Sequence, residues 1–98
     1  MVTISVLLTI AIPETRSLKE KRAVIRSLVE RYRSRLHLSA AEVGMQDDVR
    51  RAQVGFAVVS GDVATARALA DAARRFADEH LIGRGEVIDI AEDEALLE

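Results

Sequence analysis

Apolar residues alternate from the start of the chain. Val2, Ile4, Val6, Leu8, Ile10 and Ile12 share one parity, and Thr3, Ser5, Leu7, Thr9 and Ala11 take the other. This period of two predicts a strand over residues 2–12 with one strongly apolar face, closed by Pro13. The period then changes. Leu18, Ile25, Leu28, Val29, Tyr32 and Leu36 recur at helical spacing, and Ser17-Leu18-Lys19-Glu20 just ahead reads as a capping box. Residues 37–45 read as a second strand, with a phase slip at Ala40-Ala41 because Leu38 and Val43 fall on opposite parities. Residues 46–50 form a polar turn. A third strand follows over 52–60, with Val54, Phe56 and Val58 on one face. Gly61-Asp62 opens a second helix whose stripe is Val63, Ala66, Leu69, Ala70, Ala73, Phe76 and Ala77. Its alanines imply close approach to whatever it covers. On its outer side Arg67 with Asp71, and Arg74 with Asp78, stand four residues apart as helix ion pairs. Gly83-Arg84-Gly85 breaks the chain before a fourth strand over 86–91, and the acidic tail at about 93–98 is expected to fray.

The order β-α-β-β-α-β with right-handed crossovers predicts one ferredoxin-like α+β domain. Its four-stranded antiparallel sheet would have strand order 4-1-3-2, with both helices on one face. In that topology the strand 1–helix 1 loop, the start of helix 1, the strand 2–3 turn and the helix 2–strand 4 loop share one end of the sheet. Residues 16–22, 46–50 and 80–85 are then neighbours, and a site is expected there.

Charge sharpens the picture. Residues 16–36 hold eight of the fourteen Lys and Arg side chains against only Glu20 and Glu30, although the whole chain carries −2. Residues 86–98 hold six acids and no base. The chain thus has a positive helix and a negative edge, which bears on partners rather than on a reaction. With no cysteine, disulfides, thiolate metal sites and a cysteine nucleophile are all excluded. The apolar start is too short for a membrane span and lacks the basic lead of a signal peptide, so a cytoplasmic protein with no membrane partner is expected.

On a helical wheel Lys19, Arg22, Arg26 and Arg33 occupy one sector beside the apolar stripe, about 20 Å long at about 1.5 Å per residue. That length matches several phosphate steps of a nucleic acid. The first turn of the helix, with Lys19, Lys21 and Arg22, offers a phosphate seat, although Glu20, Asp47 and Asp48 could instead close it as a salt-bridge cluster. Asp47 and Asp48 read as turn formers rather than, with Glu42, as metal ligands. His37 and His80 read as structural. The open sheet face, with Thr3, Ser5, Leu7, Thr9, Gln53, Gly55, Ala57 and Val59, has no aromatic residue on which bases could stack. It is instead a candidate dimer surface. The loop at residues 13–16 lacks the glycine-rich cradle of acylphosphatases, and no nucleophile–base pair is spaced for catalysis.

The segments Ser17-Leu-Lys-Glu-Lys-Arg22 and Ala41-Glu-Val-Gly-Met-Gln-Asp47, with the RAQVGFAVVS strand, resemble the YlxP-like family of small bacterial proteins of unknown function. The resemblance implies a ferredoxin-like domain without assigned enzymatic activity or cofactor, often encoded among translation and ribosome-maturation genes. It picks out Ser17, Lys19, Glu20, Lys21, Arg22, Glu42, Gly44, Gln46 and Asp47 as motif residues. Asp48-Val49 stands where family members often carry an aromatic, so no stacking residue is implied in that turn. The expectation is a non-enzymatic RNA- or ribosome-associated protein using Lys19, Lys21, Arg22, Arg26 and Arg33. The alternative is a homo-oligomer built through edge strands, the open sheet face, or basic helix against acidic strand.

Overall fold

Strand β1 (Val2–Ala11) lies inside the sheet, where its apolar parity has something to cover it. A computed structural model describes residues 1–98. The element order is β1, α1 (Leu18–Arg35), β2 (Ser39–Gly44), β3 (Arg51–Ser60), α2 (Val63–His80) and β4 (Glu86–Leu96). The strands pair antiparallel in the order β2-β3-β1-β4, which is the expected order 4-1-3-2 read from the other edge. Val2, Ile4, Val6, Leu8 and Ile10 are buried under the helices, as are Ala52, Val54, Phe56 and Val58 opposite them. Ile25, Leu28, Val29 and Tyr32 of α1 and Ala66, Ala70, Ala73 and Ala77 of α2 close this core from one side. Removing a methylene-rich side chain such as Leu8 from so dense a layer costs about 2–5 kcal/mol. Tyr32 sits between Phe56 and Phe76, at centroid distances of 5.2 and 5.7 Å. Its hydroxyl donates to the Ala73 carbonyl at 2.8 Å. Burial, with Asp78 adding to it, raises the phenol well above its ordinary value.

Both helices begin on side-chain caps. Ser17 accepts from the Glu20 N–H at 3.1 Å, and the Glu20 carboxylate reaches one residue past the cap to the Arg16 N–H at 2.8 Å. Asp62 accepts from the Thr65 N–H at 2.8 Å.

Four expectations are corrected. The second strand is shorter than residues 37–45, because His37 and Met45 both take positive φ (55° and 56°) and turn the chain at each end. The phase slip falls at Val43, not at Ala40-Ala41: Glu42 opposes Val54 and Gly44 opposes Gln53, so Val43 is the extra residue. The fourth strand runs to Leu96, five residues beyond Ala91. Backbone pairing with β1 holds it although almost every side chain is exposed, and Met1 and Leu97 exchange N–H to carbonyl bonds past its end. Finally, Arg67 and Arg74 do not pair along their own helix with Asp71 and Asp78 respectively. Arg67 grips Glu94 at 2.8 and 2.9 Å, and Arg74 pairs with Glu92 and Asp71. These arginines reach sideways because β4 extends beyond the helical layer, leaving Glu92 and Glu94 on its helix-facing side without a helix above them.

Candidate functional site: a basic groove and a buried lysine

The chain turns gather at one end of the sheet as the topology requires. Thr15, buried in the β1–α1 loop, holds its hydroxyl 2.8 Å from the Ile12 carbonyl and 2.7 Å from the Val49 carbonyl, which share its one proton and tie that loop to the β2–β3 turn. Pro13 and Glu14 face Gly83, Arg84, Gly85 and Glu86 across a cleft of about 310 Å3. Arg84 is committed to the end of α2, donating to the His80 carbonyl at 2.6 Å.

At this end the structure separates Lys21 from the other basic residues of α1. Lys21 is completely buried, and its ammonium donates to the carbonyls of Met45 (2.8 Å), Gln46 (3.2 Å) and Arg51 (3.2 Å). Glu42 Oε2 lies 3.5 Å away, buried, and has no hydrogen-bond donor of its own. The expectation that Lys21 meets a phosphate is therefore corrected: its three protons are already taken by the β2–β3 turn. Lys21 secures that turn against α1, and the positive φ of Met45 presents one of the carbonyls it holds. The helical spacing contained the signal, since Lys21 stands four residues before Ile25 and seven before Leu28, on the apolar stripe itself.

Asp48 builds the rest of the turn. One of its oxygens accepts from the N–H groups of Arg50 (2.8 Å) and Arg51 (3.0 Å), and the other from the Arg51 guanidinium at 3.2 Å. Those bonds, led by the Arg50 N–H, hold its carboxyl below the usual carboxylate range. Asp47 is exposed and makes no side-chain bond, whereas Gln46 uses its carbonyl for Lys21. Gly44 is tightly enclosed: a Cβ there would fall 2.2 Å from Gln53 Oε1, whose side-chain amide bonds Thr9. Glu42 thus faces Lys21, Asp48 is bound to Arg50 and Arg51, and Asp47 stands alone; no group of three or more His, Cys, Asp or Glu side chains is placed to hold a metal ion.

The remaining basic residues behave differently. Arg22, Arg26 and Arg33 line a groove of about 360 Å3 between α1 and the edge strand β2, floored by Ile25, Val29 and Ala41 and flanked by Glu30 and Glu42. Lys19 is exposed on the same helix sector, one turn toward the N-terminus. Arg33 Nε caps the edge-strand carbonyl of Ala40 at 3.0 Å. Lys19, Arg22 and Arg26 are exposed, and none makes an ion pair or hydrogen bond within the chain. The cationic surface therefore runs along the flank of α1 rather than across the end of the sheet. Glu30, four residues after Arg26 and three before Arg33, is placed on this rim by helical spacing alone, whereas Glu42 reaches it only through β2. The opposite, open face of the sheet carries Asp89 and Asp93 of β4 opposite Thr9 and Ser5.

The two segments that form the Lys21 lock also lie within a matched family. The sequence profile described as "Protein of unknown function (DUF503)" covers residues 3–91. The chain belongs to this family. Among curated proteins it is similar to "Uncharacterized protein YlxP" of Bacillus subtilis (strain 168), with 43% identity over 44 residues. That match covers 45% of this chain and 48% of the relative, so the chain spans about half the length of the curated relative it matches. No helix of this DUF503 protein is long and apolar enough to cross a membrane.

Proposed function

We propose that this DUF503 protein is a non-enzymatic, cytoplasmic RNA-binding protein that contacts the phosphate backbone of structured, ribosome-associated RNA. Lys19, Arg22, Arg26 and Arg33 on the flank of α1 would make the contacts. One observation carries the reading: three of these four cations have no partner inside the chain, and they sit in a row beside a groove. Cations with internal partners, such as Lys21 and Arg67, are structural. Unpaired ones in a row are available to an anion of matching spacing. Arginine suits that role because its fork can hold two phosphate oxygens at once. Contacts to phosphate alone give affinity that depends steeply on salt and little on base sequence.

The test is binding of the purified chain to ribosomal subunits and to a generic structured RNA across a salt series, beside the triple variant Lys19→Glu/Arg22→Glu/Arg26→Glu. Affinity should fall steeply with salt and vanish in the triple variant. Unchanged affinity in that variant would show that RNA does not use this flank.

A further inference from the structure

Two charge rows stand on opposite edges of this sheet, and each lacks a partner. On β4 the carboxylates of Glu86, Asp89 and Asp93 make no hydrogen bond or ion pair, in contrast to Glu92 and Glu94, which α2 occupies. On the far edge Lys19, Arg22 and Arg26 are similarly unpaired beside β2. Residues 86 and 93 are about 23 Å apart at about 3.3 Å per strand residue. The unpaired cations at 19 to 26 span about 11 Å at about 1.5 Å per helix residue, and Arg33, which also holds the Ala40 carbonyl, extends the basic row to about 21 Å. Apolar groups accompany both. Ile88 (49% exposed) and Ile90 (45%) lie along β4, and Ala41 with Ile25 and Val29 floors the basic groove.

We infer that β4 of one molecule docks along the α1–β2 flank of a second copy of the chain, acids against bases. Within one molecule the rows cannot meet, because β3 and β1 lie between them, about 14 Å of sheet at about 4.8 Å per strand. Pairing of β4 with β4 would lay acid against acid, which charge disfavours. The contact is made by side chains rather than by an added strand, since Arg33 and Gln46 already cap the β2 carbonyls of Ala40 and Glu42. Because the two surfaces differ, the contact is head-to-tail and leaves one of each free at the ends of a chain, unless the rotation closes a ring. The inference is independent of RNA binding and is measured without nucleic acid, although it uses the same flank.

Sedimentation velocity of the nucleic-acid-free chain at micromolar concentration tests it. At about 10 mM salt the screening length is about 30 Å, and at about 1 M it is about 3 Å. The expected result is dimers or larger species in the first condition and monomer in the second. A charge swap then checks the geometry. Arg22→Glu/Arg26→Glu and Asp89→Arg/Asp93→Arg should each be monomeric alone at low salt, because each sets like charges together, and a mixture of the two should associate again. All four positions are exposed and free of internal partners, so the fold should tolerate reversal; the salt series on the unaltered chain stands regardless. A monomer at both salts overturns the inference. So does association that ignores salt, or a mixture that stays monomeric.

Discussion

The ammonium of Lys21 lies 3.5 Å from Glu42 Oε2, and no solvent reaches the lysine. Helix α1 and strand β2 are joined through this pair and the three carbonyls around it, which fixes the β2–β3 turn beneath the first helix. Removing one member of a buried pair strands the other charge. Lys21→Met should therefore cost about 3–5 kcal/mol, read by denaturant unfolding. Glu42→Gln should cost less, and the double variant Lys21→Met/Glu42→Gln should lose at least about 1 kcal/mol less than the sum of the two. Additive losses would mean that the carbonyl cage alone holds Lys21.

Strand and helix order, strand pairing and the end at which the turns meet were legible because each depends on periodicity and on connection handedness. Lys21 was misread because it was assigned to the basic flank with Arg31 and Arg35, whereas at about 100° per residue it falls between Leu28 and Tyr32 on the apolar stripe. The groups that decide its burial belong to Met45, Gln46 and Arg51, 24 to 30 residues away in the chain. The end of β4 was misread for the opposite reason. Residues 92–96 are acidic and exposed, as a tail would be, yet they pair through backbone groups with residues 2–6 of β1, which no side-chain pattern records. The cationic sector of α1 was legible on the wheel. Its groove was not, because Ala41 and Glu42 reach it only through β2.

Gly85 is fixed by a backbone neighbour. A Cβ at this position would stand 2.6 Å from the Ala11 carbonyl oxygen, where β4 begins beside the end of β1. Neither backbone can yield without breaking the register of Ala11 with Glu86. Gly85→Ala should lower stability by about 1–3 kcal/mol, seen as a lower thermal midpoint. Gly61→Ala meets nothing within 4 Å and serves as the tolerated control.

Tyr32 contributes a ring to the core and one hydrogen bond to α2. Tyr32→Phe keeps the contacts with Phe56 and Phe76 and leaves the Ala73 carbonyl without the hydroxyl. A loss of about 1 kcal/mol is expected, measured by chemical denaturation. A neutral result would mean that the bond adds nothing beyond packing.

His80 joins the two helices, 3.1 Å from Ser27 Oγ and stacked on Phe76. Burial first, then the charges of Arg84, Arg31 and Arg35, hold its imidazole below the ordinary value of 6.5. The folded chain thus favours neutral His80, and near and below pH 6.5 the unfolded chain binds more protons. This contribution is complete above about pH 6.5 and is lost as pH falls toward the lowered folded value. Stability should decline between pH 7 and 5, and His80→Gln should flatten that decline. An equal slope in the variant would assign the effect to other groups. A separate loss is expected below about pH 4, where Asp48, Asp62 and Glu94, all held low by hydrogen bonds, take up protons.

The RNA reading makes a quantitative demand on single arginines. If Arg26 neutralises one phosphate, Arg26→Ala should reduce the slope of log affinity against log salt by about 0.9 on a duplex, or about 0.7 on a single strand. Arg75, exposed on α2 away from the groove and likewise without an ion pair, has the same charge but the wrong position. Arg75→Ala should leave the slope unchanged. Equal effects from both would mean that RNA responds to overall charge. An effect confined to Arg26 would place the phosphate backbone along the flank of α1, where Arg22 and Arg33 extend the same row.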